Sequence, residues 1–258
     1  MKSISTVQYD FQTICDQGAV RPNNEDAIKF GLADSGNLAW MIIADGMGGH
    51  LAGEVASSLL VGEIEKAFVK LTHFDKNDWL CWIEIELNRA NNKIFMQAKN
   101  NAGQKGMGTT AVLVIIHQQQ CFVGWVGDSR CYRYQSDLIG KSGLTQLTTD
   151  HTMVQALLEK GAISEKEAAA SNNKNMLSKA IGIKKGIEVD TKQLSINDQD
   201  ILLLSTDGLH DSLTLASFGS SIEKVYKGIE IGSELVNKAV AEGSKDNITF
   251  GSILVSMK

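Results

Sequence analysis

Ala39-Trp40-Met41-Ile42-Ile43-Ala44-Asp45-Gly46 is an apolar run that stops abruptly at an acid and a glycine. A short apolar run of this kind is a strand candidate. The same ending returns twice: Cys121–Gly127 runs into Asp128-Ser129, and Ile201–Thr206 runs into Asp207-Gly208. Two further acids take the opposite position. Asp26 precedes Ala27-Ile28, and Asp246 precedes a final strand over Asn247–Val255. In an antiparallel sheet the end of one strand lies beside the start of the next, so both kinds of acid can line one edge.

If they do, electrostatics constrains what else is there. Two like charges ~4 Å apart repel by ~4 kcal/mol at an effective dielectric of 20. Four or five such carboxylates stay ionised together only beside cations; otherwise some take up protons. Oxygen ligands without cysteine or clustered histidine suit Mg²⁺ or Mn²⁺ rather than zinc. Two such ions ~3.5–4 Å apart are an arrangement that hydrolyses phosphate esters. The plain alternative for any single Asp-Gly is turn chemistry, with Asp capping the turn and Gly supplying positive φ.

Working outward, Thr110–Ile116 and Cys121–Val126 are strand candidates, with Gln118-Gln119-Gln120 as a hairpin connection. Two helices fill the space after the first acid. Over 51–70 Ala56, Leu60, Ile64 and Phe68 recur every four residues. Over 77–100 Trp79, Ile83, Leu87, Ala90, Ile94 and Ala98 keep helical spacing, with Asn77 and Asp78 where an N-cap belongs. Residues 151–185, rich in Ala, Lys, Asn and Ser, read as a peripheral helical insertion. The grouping of strands, helices, strands, insertion, strands, helix and strand predicts an α+β fold of antiparallel sheets with helices outside. One proline, Pro22, no Ser/Gly-rich linker and no internal repeat predict a single domain over 1–258.

A net charge of −5 gives no general attraction to nucleic acid or anionic lipid. No run of signal-peptide length opens the sequence, and none approaches the roughly 20 apolar residues of a membrane span. A soluble cytoplasmic protein is expected. Cys15, Cys81, Cys121 and Cys131 form no Cys-x-x-Cys pair and are expected reduced.

Seven segments in order resemble the type-2C metal-dependent protein serine/threonine phosphatases, in their compact bacterial form, from about residue 12 to residue 254. They are Arg21-Pro22-Asn23-Asn24-Glu25-Asp26, Asp45-Gly46-Met47-Gly48-Gly49-His50, Gly106-Met107-Gly108-Thr109-Thr110 and Val126-Gly127-Asp128-Ser129-Arg130. Asp150-His151-Thr152, Ser205-Thr206-Asp207-Gly208-Leu209 and Lys245-Asp246-Asn247-Ile248-Thr249 complete them. The resemblance implies a four-layer α-β-β-α sandwich, two antiparallel sheets flanked by helices. It implies hydrolysis of phosphoserine and phosphothreonine by a water or hydroxide bridging two Mn²⁺ or Mg²⁺ ions, with a third, weaker ion. Asp45 would bridge the two ions, joined by the Gly46 carbonyl. Asp207 and Asp246 would hold the first, and Glu25 and Asp26 the second, partly through water. Asp128 would serve the third site together with Asp207, and Arg21 would grip the phosphate oxygens. The expected partners are phosphoprotein substrates and a serine/threonine kinase whose work is reversed. Nothing in the sequence demands more than a monomer.

The sequence departs from the family at two points. Some members carry histidine where Met47 stands, proposed as general acid, so a metal-bound water at Asp128 is the better proton donor here. The insertion matches the family's flap beside the active site, but Ser171-Asn172-Asn173-Lys174-Asn175 replaces the usual His-Pro pair. Lys174 has two readings, a contact for an acidic phosphopeptide or a solvated side chain. His73 and His117 read as structural, and His50 as helping to open the first helix. For His151 and His210 a site role and local hydrogen bonding both stay open. The Asp45–Gly49 run is no dinucleotide fingerprint, since Leu51 stands at the third glycine, and no P-loop. Two rival functions share the acids. A phosphoprotein-binding pseudophosphatase predicts loss of one or more of them, and none is lost. A two-metal phosphoesterase on small phosphate esters or phosphodiesters predicts a nucleobase-stacking or basic signature, and none is present.

Overall fold

In the computed structural model, residues 7–33, 36–49, 52–71, 78–135, 143–169, 171 and 173–257 are described. His50, Leu51, His73, Asn77 and Asn172 lie outside them. The run that opened the reading is the body of strand β3 (Leu38–Met47). Alternation along it explains why it is apolar throughout. Trp40, Ile42 and Ala44 face a core beneath two helices, while Ala39, Met41 and Ile43 face a second sheet.

The first sheet has the order β2 (Asp26–Ala33), β3, β5 (Ala111–His117), β6 (Gln120–Val126), β9 (Asp190–Ser195). A short β4 (Gly108–Thr109) pairs with the end of β3. The second sheet has the order β1 (Val7–Asp16), β11 (Ile248–Met257), β10 (Ile201–Ser205), β7 (Arg130–Tyr134), β8 (Leu144–Gln146). Every pairing within them is antiparallel. The expected hairpin joins β5 to β6, with Gln118 and Gln119 at φ 50° and 62°. Two successive left-handed residues match the twist of the strands, a geometry more often met with Asn-Gly.

Helices α1 (Ala52–Val69) and α2 (Trp79–Asn100) cover the first sheet, within a residue or two of the expected spans. Trp40 stacks on Phe68 at 4.5 Å and Phe68 meets Trp82 at 4.7 Å, so aromatic side chains from both helices and β3 seal this layer. Asp78 caps α2, its carboxylate accepting from the Cys81 amide. On the outer face of the second sheet lie α6 (Leu215–Ile222) and α7 (Gly232–Ala241), burying Phe218, Leu235 and Ala239 against Tyr132, Leu203 and Phe250. Between the sheets sit Met41, Val114, Leu202, Leu204 and Ile253. Gly251 makes that approach possible, since a Cβ there would fall 2.4 Å from the Met41 sulfur. The result is the four-layer α-β-β-α sandwich.

The sequence reading missed β1, β4, β7, β8 and β9. None carries a continuous apolar run; β1, β8 and β9 lie at sheet edges, where one side needs no partner. Residues 151–185 hold two short helices, α3 (Met153–Glu159) and α4 (Glu165–Ala169), and otherwise turns. The helical content expected there is therefore small. All four cysteines are free thiols.

Candidate active site

The acids come from one edge of the sandwich, as antiparallel geometry requires. Asp26 opens β2 and stands opposite Asp45 near the end of β3. Asp128 follows β6, Asp207 follows β10 and opens the short helix α5 (Asp207–His210), and Asp246 precedes β11. Around them lies a cavity of about 460 Å³ lined by Arg21, Glu25, Asp45, Gly46, Asp128, Asp207 and Asp246, with Met47, Thr110, Asn175, Leu177 and Asn247. Asp26 is the exception among the expected site residues. It is buried behind the wall, accepting a 2.8 Å hydrogen bond from the Thr206 hydroxyl, which itself accepts from the Thr249 amide.

Backbone ties hold this edge. The Asp45 amide donates to Thr110 Oγ1, and the Asp45 carbonyl accepts from the Thr110 amide and the Thr109 hydroxyl. The Thr110 hydroxyl pairs with Ser129 Oγ at 2.6 Å, next to Asp128. The Gly46 amide donates to the Glu25 carbonyl at 3.0 Å, and a Cβ at Gly46 would collide with the Gly53 and Glu25 carbonyls. Gly46 therefore brings its backbone to the cavity where no other residue fits.

Burial sets the protonation of the acids. Asp45 is pushed well above the carboxylate range by desolvation, then by the charges of Asp26, Asp207, Asp128 and Asp246. Desolvation, reinforced by neighbouring carboxylates, raises Asp26 and Asp128 each to about 7 and Asp207 to about 6. Glu25 is raised by burial against the pull of Arg21.

The donor set tests a fit to cations. Asp207 Oδ1 is buried and receives no hydrogen bond, and the cavity's acids offer hard oxygen atoms with no nitrogen or sulfur among them. Among the described residues, no three His, Cys, Asp or Glu side chains already close on a common point. Three of the acids are engaged instead: Asp246 by Arg21 at 2.6 Å, Asp26 by Thr206 and Asp207 by Asn175. As a set of hard oxygen donors, these side chains would suit a divalent cation such as Mn²⁺ or Mg²⁺.

A family model described as "Protein phosphatase 2C" matches residues 10–248. The chain belongs to the protein phosphatase 2C family. It is 35% identical over 242 residues to the serine/threonine phosphatase stp of Listeria innocua, spanning 93% of this chain and 92% of that protein. The crystal structure of the serine/threonine phosphatase Stp1 from Staphylococcus aureus superposes with a TM-score of 0.85 at 31% identity, over 97% of this chain and 96% of that one. The catalytic domain of the phosphatase PstP in complex with two manganese ions gives a TM-score of 0.81 at 28% identity, over 97% of this chain and all of that one. This protein phosphatase 2C member is a protein serine/threonine phosphatase.

Several residues of the phosphatase act here without having been singled out from the sequence. Asn247 accepts from the Glu25 amide and donates to the Gln17 and Asn23 carbonyls, tying the Arg21–Glu25 loop to β11. Its place directly after Asp246 was the available signal. Asn175 donates to Asp207 Oδ2 and Asp211 Oδ2, and Lys174 is ion-paired with Asp211 at 2.8 Å. Lys174 is thus ion-paired rather than simply solvated. His117 accepts from the Trp79 indole, and buried His210 bonds Ser205 Oγ at 2.8 Å, so both are structural. His151 is held by local hydrogen bonds: its Nδ1 accepts from the Gly127 amide.

Proposed function

We propose that the cavity holds two Mn²⁺ or Mg²⁺ ions and a weaker third, and that with them the enzyme releases phosphate from phosphoserine and phosphothreonine in proteins. The observation carrying this is charge. Glu25, Asp45, Asp128, Asp207 and Asp246 line one cavity in which Arg21 is the one cationic side chain among the described residues. Without cations such a cluster favours taking up protons, the direction in which Asp45, Asp128 and Asp207 are all shifted. Asp45 would serve both ions, with the Gly46 carbonyl as a further ligand; Asp207 and Asp246 would hold the first, and Glu25 and Asp26 the second. Asp128 with Asp207 would take the third. Asp26, behind the wall, would act through water. The manganese of the PstP complex supports the pair of ions by analogy.

When bound, such cations act as Lewis acids on the phosphoryl oxygens and lower the pKa of a water, the nucleophile for phosphorus. The chain's own groups do the rest. Arg21 offers a planar donor fork, and release of its bond to Asp246 frees it for two phosphate oxygens. Charge developing on those oxygens strengthens the contact in the transition state. The seryl or threonyl oxygen leaves with a proton. Met47 cannot give it, so the donor is a water on the Asp128 side of the cavity.

The whole chain then works as one phosphatase domain, with residues 151–185 as a flap over the cavity edge. We place the enzyme in the cytoplasm as a monomer opposing a serine/threonine kinase, without nucleic-acid or membrane partners. No helix among the described residues is long and apolar enough to cross a membrane. Phosphate release from a phosphothreonine peptide with Mn²⁺, repeated with chelator, is the test. Chelator-resistant release would contradict the metal requirement. Equal turnover of a phosphodiester or a small monoester would favour a general phosphoesterase.

A further inference from the structure

His151 occupies a place that neither the reaction nor the core accounts for. It immediately precedes Thr152, whose hydroxyl caps α3, so it stands at the first root of the flap. Three of its atoms are engaged in two directions. Its amide donates to the Gly127 carbonyl at 2.9 Å, and its Nδ1 accepts from the Gly127 amide at 3.1 Å. Its carbonyl accepts from the Ser178 amide at 2.8 Å, where the flap segment returns. Thr152 forms a bridge with Leu177 beside it. One residue therefore clasps the turn before Asp128 and both roots of the flap.

The surroundings fix the ring. It stacks on Trp125 of β6, with centroids 6.2 Å apart, and the Trp125 indole donates to the Thr149 carbonyl. Because Nδ1 accepts, the proton of the neutral ring sits on Nε2, which faces Asp190 Oδ2 at 3.4 Å. Lys179, next to Ser178, holds the other Asp190 oxygen at 2.9 Å. On the far side of the turn Gly127 has φ +104°, and a Cβ there would fall 2.6 Å from the Thr110 methyl. Gly127 is thus pinned between His151 and Thr110, and Thr110 Oγ1 accepts from the Asp45 amide.

We propose that His151 is a positioning residue that locks the Gly127-Asp128 turn to the flap roots, so that Asp128 and the flap are set in place together. It follows that cation binding at Asp128 and flap order rise and fall together. The inference rests on the reading of Asp128 as a cation ligand, and the experiment separates the two.

Mn²⁺ binding to the full chain is titrated calorimetrically for the wild type, Asp128→Ala, His151→Leu and His151→Asn, with limited proteolysis of residues 153–176 in parallel. His151→Leu removes the acceptor, whereas the asparagine oxygen stands where Nδ1 stood. The expected result is loss of about tenfold in the weakest manganese affinity for His151→Leu, the size typical of groups that orient a ligand. The tighter sites keep their affinity, flap cleavage accelerates, and His151→Asn returns both readouts to within about twofold of wild type. If Asp128→Ala loses the weakest site while His151→Leu binds and is cleaved like wild type, the inference fails. An unchanged Asp128→Ala isotherm overturns the ligand reading itself, and the inference with it. Should His151→Leu fail to fold, His151→Gln, with its amide at the Nε2 position, replaces it under the same expectations.

Discussion

Asp26 and Asp45 stand directly opposite each other across the β2–β3 ladder, two acids of like charge placed as a cross-strand pair. Such a pair is unfavourable when both are ionised, and the fold worsens it by burying both. The sequence has put stability at risk at one edge in order to concentrate negative charge there.

The pH dependence of the metal-free protein should report that cost. Asp26 and Asp128 rise from 3.8 to about 7 and Asp207 from 3.8 to about 6 on folding. Between roughly pH 4 and 7 the native state therefore binds more protons than the unfolded chain, and stability falls as pH rises through that window. In chelator, Tm should be higher at pH 5.5 than at pH 8, by more than the equivalent of about 1.4 kcal/mol, the worth of one pKa unit. Saturating Mn²⁺ should remove the decline. Calorimetric scans in chelator showing Tm rising from pH 5.5 to 8 would refute the account.

Asp45→Asn follows from the same conflict. The amide keeps the shape and removes the charge most crowded by its neighbours. Stability of the chelated protein at pH 8 should increase by about 1 kcal/mol or more, while phosphopeptide turnover falls by about 10³-fold. Opposite signs in the two assays mark a residue kept for chemistry rather than for folding. A variant less stable than wild type in chelator would show that Asp45 serves the fold.

Much of this was legible before any coordinates. The apolar run into Asp45 was readable because β3 is buried on both faces, and α1 and α2 because each buries one stripe. Asp45, Asp128, Asp207 and Asp246 could be placed at strand ends from sequence alone. What escaped depended on contacts across the chain. The turning of Asp26 toward Thr206, 180 positions away, has no local signature. Nor has the pairing of Lys174 with Asp211, since both look like solvated charges until the flap is laid on α5. Strand β9, Asp-Thr-Lys-Gln-Leu-Ser, is polar because it is an edge, and pattern alone leaves it as loop.

Arg21 is bound to Asp246 at 2.6 Å and is largely exposed, so its removal should spare the fold. Arg21→Ala should lower kcat/KM on a phosphothreonine peptide by about 10²-fold, the range for losing a donor to developing oxyanion charge. Arg21→Lys should recover little, because a point charge does not reproduce a two-pronged contact. Full recovery by lysine in steady-state assays would reduce the role of Arg21 to general electrostatics.

Asn247 carries the last prediction. Its side chain fills three bonds at once, accepting from the Glu25 amide and donating to the carbonyls of Gln17 and Asn23. All join the Arg21–Glu25 loop to the start of β11, the strand that Asp246 precedes. Asn247→Ala strands an amide and two carbonyls in a partly buried position, which should cost about 2–3 kcal/mol in urea unfolding with an unchanged m-value. Because Glu25 and Asp246 would then lose their fixed separation, the Mn²⁺ concentration for half-maximal activity should rise about tenfold. A stability loss with unaltered manganese dependence would mean that the loop keeps its place by other contacts, and that Asn247 supports the fold without supporting the site.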